Sequence, residues 1–159
     1  GFFHNNNNLV ENFTEVKKTI DTNYTAYVSL LNIISNDFKK RNSGSIIGIS
    51  SVAGDRGRSS NYIYGSSKSA FSSYLSGLRN KMYHHNVNVI TVKPGFIKSK
   101  MTKNINFYNM LTSTPEIVAR DVFIAWKKKK CVQYTPWYWK YILIIIRLIP
   151  ERIFQKLNL

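Results

Sequence analysis

The stretch Ser45-Ile46-Ile47-Gly48-Ile49-Ser50-Ser51-Val52-Ala53-Gly54 decides the fold. It opens on a short apolar run bounded by glycines, a pattern typical of a strand that is buried on both faces of a parallel sheet. Residues 51–61 are rich in Gly, Ser and charged side chains, so a loop follows the strand. Open α/β sheets bind ligands at the carboxyl ends of such strands, and we therefore expect functional residues from Ser51 onward.

Helices flank this strand on both sides. Apolar residues recur at steps of three and four, which predicts a helix in two parts over residues 9–41 and another over 62–84. The rest of the chain predicts a strand (86–92), a polar loop (96–113), a helix (114–130) and a third strand (131–134). Because strands and helices alternate, the sequence predicts an α/β fold with a parallel sheet.

Composition and charge narrow the classes of function. The 159 residues carry 23 Lys and Arg against 8 Asp and Glu, a formal charge of +15, and 43% of them are hydrophobic. The apolar content argues against disorder along the whole chain. No zinc-finger or RNP pattern supports nucleic-acid binding, and no spacing of ligands predicts a metal site. The single cysteine, Cys131, excludes an internal disulfide and suits a reducing, cytoplasmic compartment.

One pair of residues suggests chemistry. Tyr64-x-x-x-Lys68 places a phenol and an ammonium four residues apart on one helix face. The pair alone is weak, because a chain with 10 Tyr and abundant Lys contains such a spacing by chance. Ser51 lies thirteen residues before Tyr64 at the end of the first strand, and Asn23 lies in the preceding helix. This order favours a site over a surface Tyr beside a Lys.

The strand at 86–92 ends in a further motif, Pro94-Gly95-Phe96-Ile97-x-Ser99-x-Met101. Together with Ile49-Ser50-Ser51-Val52-Ala53-Gly54 and Tyr64-x-x-x-Lys68, in this order, it resembles the short-chain dehydrogenase/reductase family. The resemblance runs nearly end to end. It implies a Rossmann-like, doubly wound parallel sheet and an enzyme that transfers hydride between a carbonyl or alcohol and NAD or NADP.

The resemblance implies a role for each catalytic position. Tyr64 would protonate the carbonyl oxygen, or act as the base in the reverse direction. Lys68 would be the cation that favours the phenolate, and it would also hold the nicotinamide ribose. Ser51 would hydrogen-bond and polarise the substrate oxygen. Asn23 is similar to the family's helix-kinking Asn, which fixes a water in a proton relay to Lys68.

The resemblance also implies the cofactor contacts. They are Tyr64, Lys68, Pro94, Gly95, Ile97 and Ser99. Ile97 and Ser99 take the positions that grip the nicotinamide carboxamide, and Ser99 replaces the more usual Thr while keeping the hydroxyl. The sequence does not decide between NAD and NADP, and NADP is the expected cofactor for a reductase.

Two segments resemble one branch of the family, the membrane-associated reductases of decaprenylphosphoryl keto-sugars. They are the charged loop at 54–62 and the segment at 149–154. This branch implies a hydrophobic or lipid-linked carbonyl substrate. In the loop, Arg56 and Arg58 either face a substrate phosphate or belong to a solvated Gly- and Arg-rich turn, and both interpretations stay open.

One family feature is missing from the chain. None of its 8 Gly forms the Gly-rich turn that holds the cofactor pyrophosphate at a helix N-terminus. The first family element is the helix with Asn23, which in the family follows the fourth strand. We therefore expect a truncated C-terminal part of a subunit that is inactive alone. Its strand at 45–50 would leave an unpaired apolar edge.

The sequence divides into a partial catalytic domain at 1–135 and a tail at 136–159. From residue 120 to the end there are nine basic and two acidic residues, interleaved with Trp and Ile. Basic and aromatic side chains together suit an anionic membrane surface. Residues 141–149 are interrupted by Arg147 and fall short of the roughly 20 apolar residues that span a bilayer. An amphipathic interfacial helix and a helix that packs in the core or a dimer are both open.

Two interpretations of function follow. In the first, the chain is part of an NAD(P)-dependent oxidoreductase, cytoplasmic and peripheral on the membrane. It would act on a hydrophobic or lipid-linked carbonyl, and pair with further copies or with a separate N-terminal half. In the second, it is a non-catalytic membrane- or partner-binding module that keeps the same scaffold.

Overall fold

The computed structural model describes residues 12–98 and 111–157. The helices are α1 (Phe13–Ile20), α2 (Ala26–Arg41), α3 (Tyr62–Met82), α4 (Pro115–Lys127), α5 (Trp139–Leu148) and α6 (Glu151–Phe154). The strands are β1 (Gly44–Ile49), β2 (Val87–Pro94), β3 (Phe96–Ile97), β4 (Thr112–Ser113) and β5 (Val132–Thr135). Short 3-10 turns cover Val52–Gly54 and Tyr83–His85, and a π-helical turn, Asp21–Thr25, joins α1 to α2.

Three strands form a parallel sheet in the order β1, β2, β5. Ile46 of β1 lies opposite Val89 of β2, and Val92 of β2 lies opposite Gln133 of β5. α3 connects β1 to β2 and α4 connects β2 to β5, the crossovers that parallel neighbours require. The predicted α/β class, the parallel sheet and the alternation of elements are confirmed.

The core lies between α3 and one face of the sheet. Its fully or nearly fully buried side chains are Ile46, Phe71, Leu75, Leu78, Met82, Val87 and Val89. Because side chains alternate along a strand, Ile90 and Val92 point to the opposite face, and both are 0% exposed. α4 packs against β2 and β5. The middle strand β2 is thus buried on both faces.

β1 differs from the prediction. The apolar run predicted a strand that is buried on both faces, but Ile47 is 38% and Ile49 is 47% exposed. Ile46 and Gly48 face α3, whereas on the other face the indole of Trp126 in α4 reaches Ser45 and leaves Ile47 and Ile49 exposed. β1 pairs only with β2 in this part of the chain, so it is an edge strand with an apolar outer face.

Local signals account for the limits of the first helix. The side-chain oxygen of Asn12 accepts the backbone N–H of Thr14 at 3.1 Å, the capping role that Asn favours. Asn42 ends α2 in the left-handed conformation, with φ 51°. The predicted two-part helix is confirmed for the described residues, with the π-helical turn as the break between its parts.

The tail folds back onto the rest of the chain. Trp139 and Leu143 of α5 are buried in a second cluster with Val52, the residue directly after Ser51. Phe154 of α6 is also buried. Within the described residues, no helix has both the length and the hydropathy that crossing a bilayer requires.

Candidate active site

Two glycine contacts bring the loop after β1 against the first turns of α3. A Cβ atom at Gly54 would stand 2.7 Å from a backbone nitrogen of α3, and one at Gly65 would stand 2.8 Å from the carbonyl oxygen of Ala53. Only glycine permits backbones to approach this closely. Ser51 precedes the loop's 3-10 turn and Tyr64 precedes Gly65, so the fold brings these two predicted residues together.

Ser51 lowers the pKa of the Tyr64 phenol through a side-chain hydrogen bond. The Ser51 Oγ also accepts the backbone N–H of Ala53 at 3.1 Å, which fixes its position at the start of the 3-10 turn. Burial raises the pKa of Tyr64 above its ordinary value near 10, against the opposing effect of the Ser51 bond. The phenol therefore keeps its proton at neutral pH, the form that a proton donor needs.

Lys68 lies one helical turn after Tyr64 and is 4% exposed. Its Nζ donates to the carbonyl oxygen of Ile49 at 3.2 Å and lies 5.8 Å from the centre of the Tyr64 ring. Burial lowers the pKa of Lys68 to about 8. The role of Lys68 as the cation that favours the Tyr64 phenolate during the reaction stays a prediction.

The Lys68 ammonium fits a hydroxyl-bearing ligand. An ammonium has three N–H donors. Among the described residues one carbonyl, that of Ile49, accepts from it. A buried donor group without acceptors is costly, so the remaining N–H groups favour a bound ligand with oxygen acceptors, such as a ribose.

Asn23 lies inside the π-helical turn and is 0% exposed. This turn packs against α3, the helix that carries Tyr64 and Lys68. π-helical turns are rare and frequent at functional sites. The turn matches the helix irregularity that the resemblance implied at Asn23, and the role of Asn23 in a proton relay stays a prediction.

The predicted cofactor contacts lie where β2 ends. Pro94 pairs with Thr135 of β5, and the Gly95 backbone N–H donates to the Thr135 carbonyl at 3.0 Å. Ile97 pairs with Ser113 in the short sheet of β3 and β4. Ser99, like most of the polar loop predicted at 96–113, lies outside the described residues.

Trp139, one of the tail's aromatic residues that suited a membrane headgroup boundary, instead packs against this end of β2. A Cβ atom at Gly95 would overlap the indole of Trp139, which is 3% exposed. The rings of Phe96 and Trp139 meet edge to face at 5.1 Å between centres. The close approach of the indole is one reason for glycine at position 95.

Arg56 has a different place from either of its predicted ones. Its guanidinium donates to the carbonyl oxygens of Ile146 and Ile149, at the end of α5, and to the Glu151 carboxylate. It is therefore neither in a solvated turn nor available to a phosphate. Burial lowers the pKa of Arg58, so that side chain is partly withdrawn from solvent as well.

A buried polar cluster joins the loop to both neighbouring strands. The Asp55 side chain is 2% exposed and pairs with the Lys93 ammonium. Tyr134 of β5 donates its phenol O–H to the second Asp55 oxygen at 2.7 Å. This cluster was not predicted from the sequence. Its one signal was an acidic residue in the loop of a chain that has only 8 acidic residues.

Comparison with known proteins agrees with the geometry. The sequence matches the family described as short chain dehydrogenase over residues 3–108. The chain belongs to the short-chain dehydrogenase family. An uncharacterized oxidoreductase of Mycobacterium tuberculosis is 33% identical over 138 residues, which are 87% of this chain and 55% of that protein. The chain thus spans a little over half the length of this relative.

Solved structures of other short-chain dehydrogenases share the fold. One from Burkholderia cenocepacia, in complex with NADP, has a TM-score of 0.79 at 21% identity. The superposed residues are 91% of this chain and 61% of the Burkholderia cenocepacia chain. One from Sphingobium yanoikuyae, in complex with NADPH, has a TM-score of 0.72 at 17% identity. The superposed residues are 89% of this chain and 57% of the Sphingobium yanoikuyae chain. The predicted Rossmann-like fold is confirmed.

Proposed function

We propose that this short-chain dehydrogenase chain carries the catalytic part of an NAD(P)-dependent carbonyl reductase or alcohol dehydrogenase. The observation that supports the proposal most is the buried Lys68 ammonium, which lies 5.8 Å from the centre of the Tyr64 ring on the helix against which the loop after Ser51 packs. A buried ammonium beside a half-buried phenol and hydroxyl rarely occurs without a functional reason, since taking these groups out of water has a cost of desolvation.

Each of the three side chains has a step in the proposed mechanism. Tyr64 is protonated at neutral pH and donates its proton to the substrate carbonyl oxygen. Ser51 donates a hydrogen bond to the same oxygen as negative charge develops there. Lys68 stabilises the phenolate that remains on Tyr64 and returns a proton to it. Asn23, buried on the same side of α3, would support the return of that proton.

The cofactor would supply or accept the hydride. The residues that would hold it are Lys68, through its free N–H donors, and Pro94, Gly95 and Ile97 at the end of β2, with Ser99 beyond the described residues. NADP is the cofactor we expect, because two solved short-chain dehydrogenases of the same fold were obtained with NADP and NADPH.

We further propose that the chain is the C-terminal part of a subunit and is inactive alone. The chain covers 55% of its Mycobacterium tuberculosis relative and lacks the Gly-rich turn that binds pyrophosphate. The exposed side chains of Ile47 and Ile49 and the free edge of β1 also support this view, because a neighbouring strand and helix would cover them. A partner chain or a longer subunit would supply these elements.

The proposed substrate is hydrophobic or lipid-linked, in keeping with the resemblance to decaprenylphosphoryl keto-sugar reductases, and the proposed location is a membrane surface. α5 has two apolar faces. Trp139 and Leu143 pack inward. On the opposite side lie four residues at the helical spacing i, i+3, i+4 and i+7, which are Tyr141, Ile144, Ile145 and Leu148.

This outer stripe of α5 suits a bilayer interface. Its exposure ranges from 45% at Ile144 to 77% at Leu148. Lys140 and Arg147 flank it, and α5 itself carries no acidic residue. Exposed apolar side chains flanked by cations match an anionic lipid surface, where the chains insert and the cations meet headgroups.

Cofactor binding tests the enzymatic proposal. The isolated chain should show no micromolar binding of NADPH by nicotinamide fluorescence. A chimera that joins this chain to the unmatched part of the Mycobacterium tuberculosis relative should bind NADPH and reduce members of a panel of hydrophobic ketones. Micromolar binding by the isolated chain would contradict the truncation. A folded chimera that binds NADPH but reduces nothing would contradict the enzymatic role.

Flotation with vesicles of anionic phospholipid tests the membrane surface. The chain should float with these vesicles, and the double variant Ile145→Ser, Leu148→Ser should not. Ile33→Ser is the matched control, because Ile33 lies on α2 and is 69% exposed. If the double variant and Ile33→Ser float equally, or if the chain itself does not float, the tail does not bind the membrane surface.

A second candidate is a non-catalytic module that binds a membrane or a protein partner and retains the scaffold. The exposed stripe on α5 favours it independently of the catalytic residues. Flotation without turnover in the chimera would select this candidate.

A further inference from the structure

The loop that begins after Ser51 is held on two sides. On one side, Asp55 reaches Lys93 and Tyr134 on the two neighbouring strands. On the other side, the tail packs against it. Val52 is 3% exposed and lies in one cluster with Trp139 and Leu143 of α5. The tail therefore contacts the residue that directly follows Ser51.

Arg56 makes the second contact between the loop and the tail. Its guanidinium donates to the carbonyl oxygens of Ile146 at 2.5 Å and Ile149 at 2.7 Å and to the Glu151 carboxylate at 2.9 Å. It also stacks on the Phe154 ring, with its central carbon 3.8 Å from the ring centre. The end of α5 has carbonyl groups without helical partners, and a cation there is favourable.

These contacts make Arg56 unlike a surface arginine. Its side chain is 13% exposed, and it meets the α5 carbonyls, the Glu151 carboxylate and an aromatic face at once. The planar fork of a guanidinium fits such a corner, whereas the point charge of an ammonium reaches fewer acceptors. Arg56 thus fixes the turn between α5 and α6 against the loop.

We propose that Arg56 is a positioning residue of the active site, which holds the loop at 52–56 against the tail and so keeps Ser51 within hydrogen-bonding distance of Tyr64. The coupling is short. The backbone N–H of Gly54 donates to the Ser51 carbonyl, and that of Asp55 donates to the Val52 carbonyl. A displacement at Arg56 therefore reaches Ser51 through one 3-10 turn. The inference rests on the proposed role of Ser51.

The test must distinguish this arrangement from an alternative one. The Asp55 cluster alone could hold the loop, in which case Arg56 would fasten only the tail. The two arrangements differ in what happens to the loop and to the Ser51–Tyr64 bond when Arg56 is replaced. Neither outcome depends on turnover.

The experiment compares Arg56→Gln, Arg56→Lys and Arg152→Gln in the full chain. Arg152 is an exposed arginine of α6 and is the control for loss of one charge in the tail. Amide hydrogen exchange of residues 53–56 should quicken about tenfold in Arg56→Gln, less in Arg56→Lys, and not in Arg152→Gln. In chains labelled with 13C at tyrosine Cζ, the Tyr64 signal, identified by its loss in Tyr64→Phe, should titrate at higher pH once the Ser51 bond is lost.

Faster exchange confined to residues 139–154, with the loop and the Tyr64 titration unchanged, would overturn the proposal. If Arg56→Gln fails to fold, Arg56→Lys decides by the same two measurements. The chimera's turnover reports separately on the proposed function: an inactive chimera with a normal response of the loop to Arg56→Gln would refute the enzyme and leave the coupling in place.

Discussion

The two sides of β1 differ more than any other pair of surfaces in the molecule. On the inner side, Ile46 and Gly48 pack under α3, and the strand leads into a loop that is fastened at Asp55 and Arg56. On the outer side, Ile47 and Ile49 stand exposed beside a strand edge that pairs with nothing in the described part of the chain. One strand thus borders the candidate active site on one side and an exposed apolar face on the other.

The two sides of β1 correspond to two requirements, which are the placement of the candidate site's side chains and the binding of a dinucleotide. The candidate active site is built from contacts between β1, its loop and α3, which are neighbours in sequence, and from the adjacent ends of β2 and β5. A dinucleotide instead binds across the carboxyl edge of a larger sheet, at a crevice between strands. The three-stranded sheet of the described residues therefore suffices to bring the loop after Ser51 against the helix of Tyr64 and Lys68, and the proposed truncation would leave most of the cofactor surface to elements beyond β1.

Replacing Tyr64 with Phe should have the largest effect and would test the inner side directly. In the chimera that binds NADPH, Tyr64→Phe should lower kcat by about a thousandfold, because no other group donates the proton to the carbonyl oxygen. The dissociation constant of NADPH should stay within twofold or so. Stopped-flow turnover and fluorescence titration measure the two quantities.

Tyr62→Phe is the control for this substitution, since Tyr62 begins the same helix and is 45% exposed. Retention of normal turnover in Tyr64→Phe would refute the catalytic assignment.

Neighbouring isoleucines of β1 provide a direct comparison of the two sides. Ile46→Ala should lower the free energy of unfolding by about 3 kcal/mol, because Ile46 is 4% exposed and its loss leaves a cavity under α3. Ile47→Ala should cost less than about 1 kcal/mol in the isolated chain. Urea denaturation measures both. In the chimera, where a neighbouring element would cover the outer face, the cost of Ile47→Ala should rise, and an unchanged cost would contradict that cover.

The buried ammonium of Lys68 should make stability depend on pH. Its pKa is about 8 in the folded chain against 10.5 ordinarily. Between these values the unfolded chain binds the proton that the folded chain has released, so the folded state gains stability as pH rises. The gain between pH 7 and pH 10 should be about 2 to 3 kcal/mol. Lys68→Met should lack this gain in urea denaturation.

Lys81→Met, at an exposed position of the same helix, is the control for the loss of one positive charge. An equal pH dependence in Lys68→Met and the original chain would show that Lys68 is solvated.

The sequence predicted the inner side of β1 well because its signals are local. Helical spacing places Tyr64 and Lys68 on one face, and the end of an apolar run places Ser51 at the edge of the sheet. The apolar run by itself predicted that Ile47 is buried in a strand covered on both faces of the sheet, and this was wrong, because the pattern does not show which neighbouring elements are present. The unpaired apolar edge at 45–50 was expected only from the resemblance, and the position of β1 at the edge of the described sheet agrees with it. Arg56 was also misplaced, since its partners lie 90 to 95 residues away and no periodicity links a loop to a distant helix end.

The smallest predicted effect concerns Tyr134, whose hydrogen bond to Asp55 ties the catalytic loop to β5. Tyr134→Phe keeps the ring and removes one bond to a carboxylate that is 2% exposed and still paired with Lys93, so it should cost about 1.5 kcal/mol. Tyr83→Phe, at a ring that is 76% exposed, should cost nothing measurable.

Because burial and Asp55 both raise the pKa of Tyr134, the folded chain keeps its phenol proton above pH 10 while the unfolded chain loses it. Stability should therefore fall more steeply in the original chain than in Tyr134→Phe as pH rises beyond 10, because in the variant only other phenols with a raised pKa, such as Tyr64, still contribute. An equal fall of stability in the original chain and in Tyr134→Phe would show that the Asp55–Lys93 pair alone holds the loop.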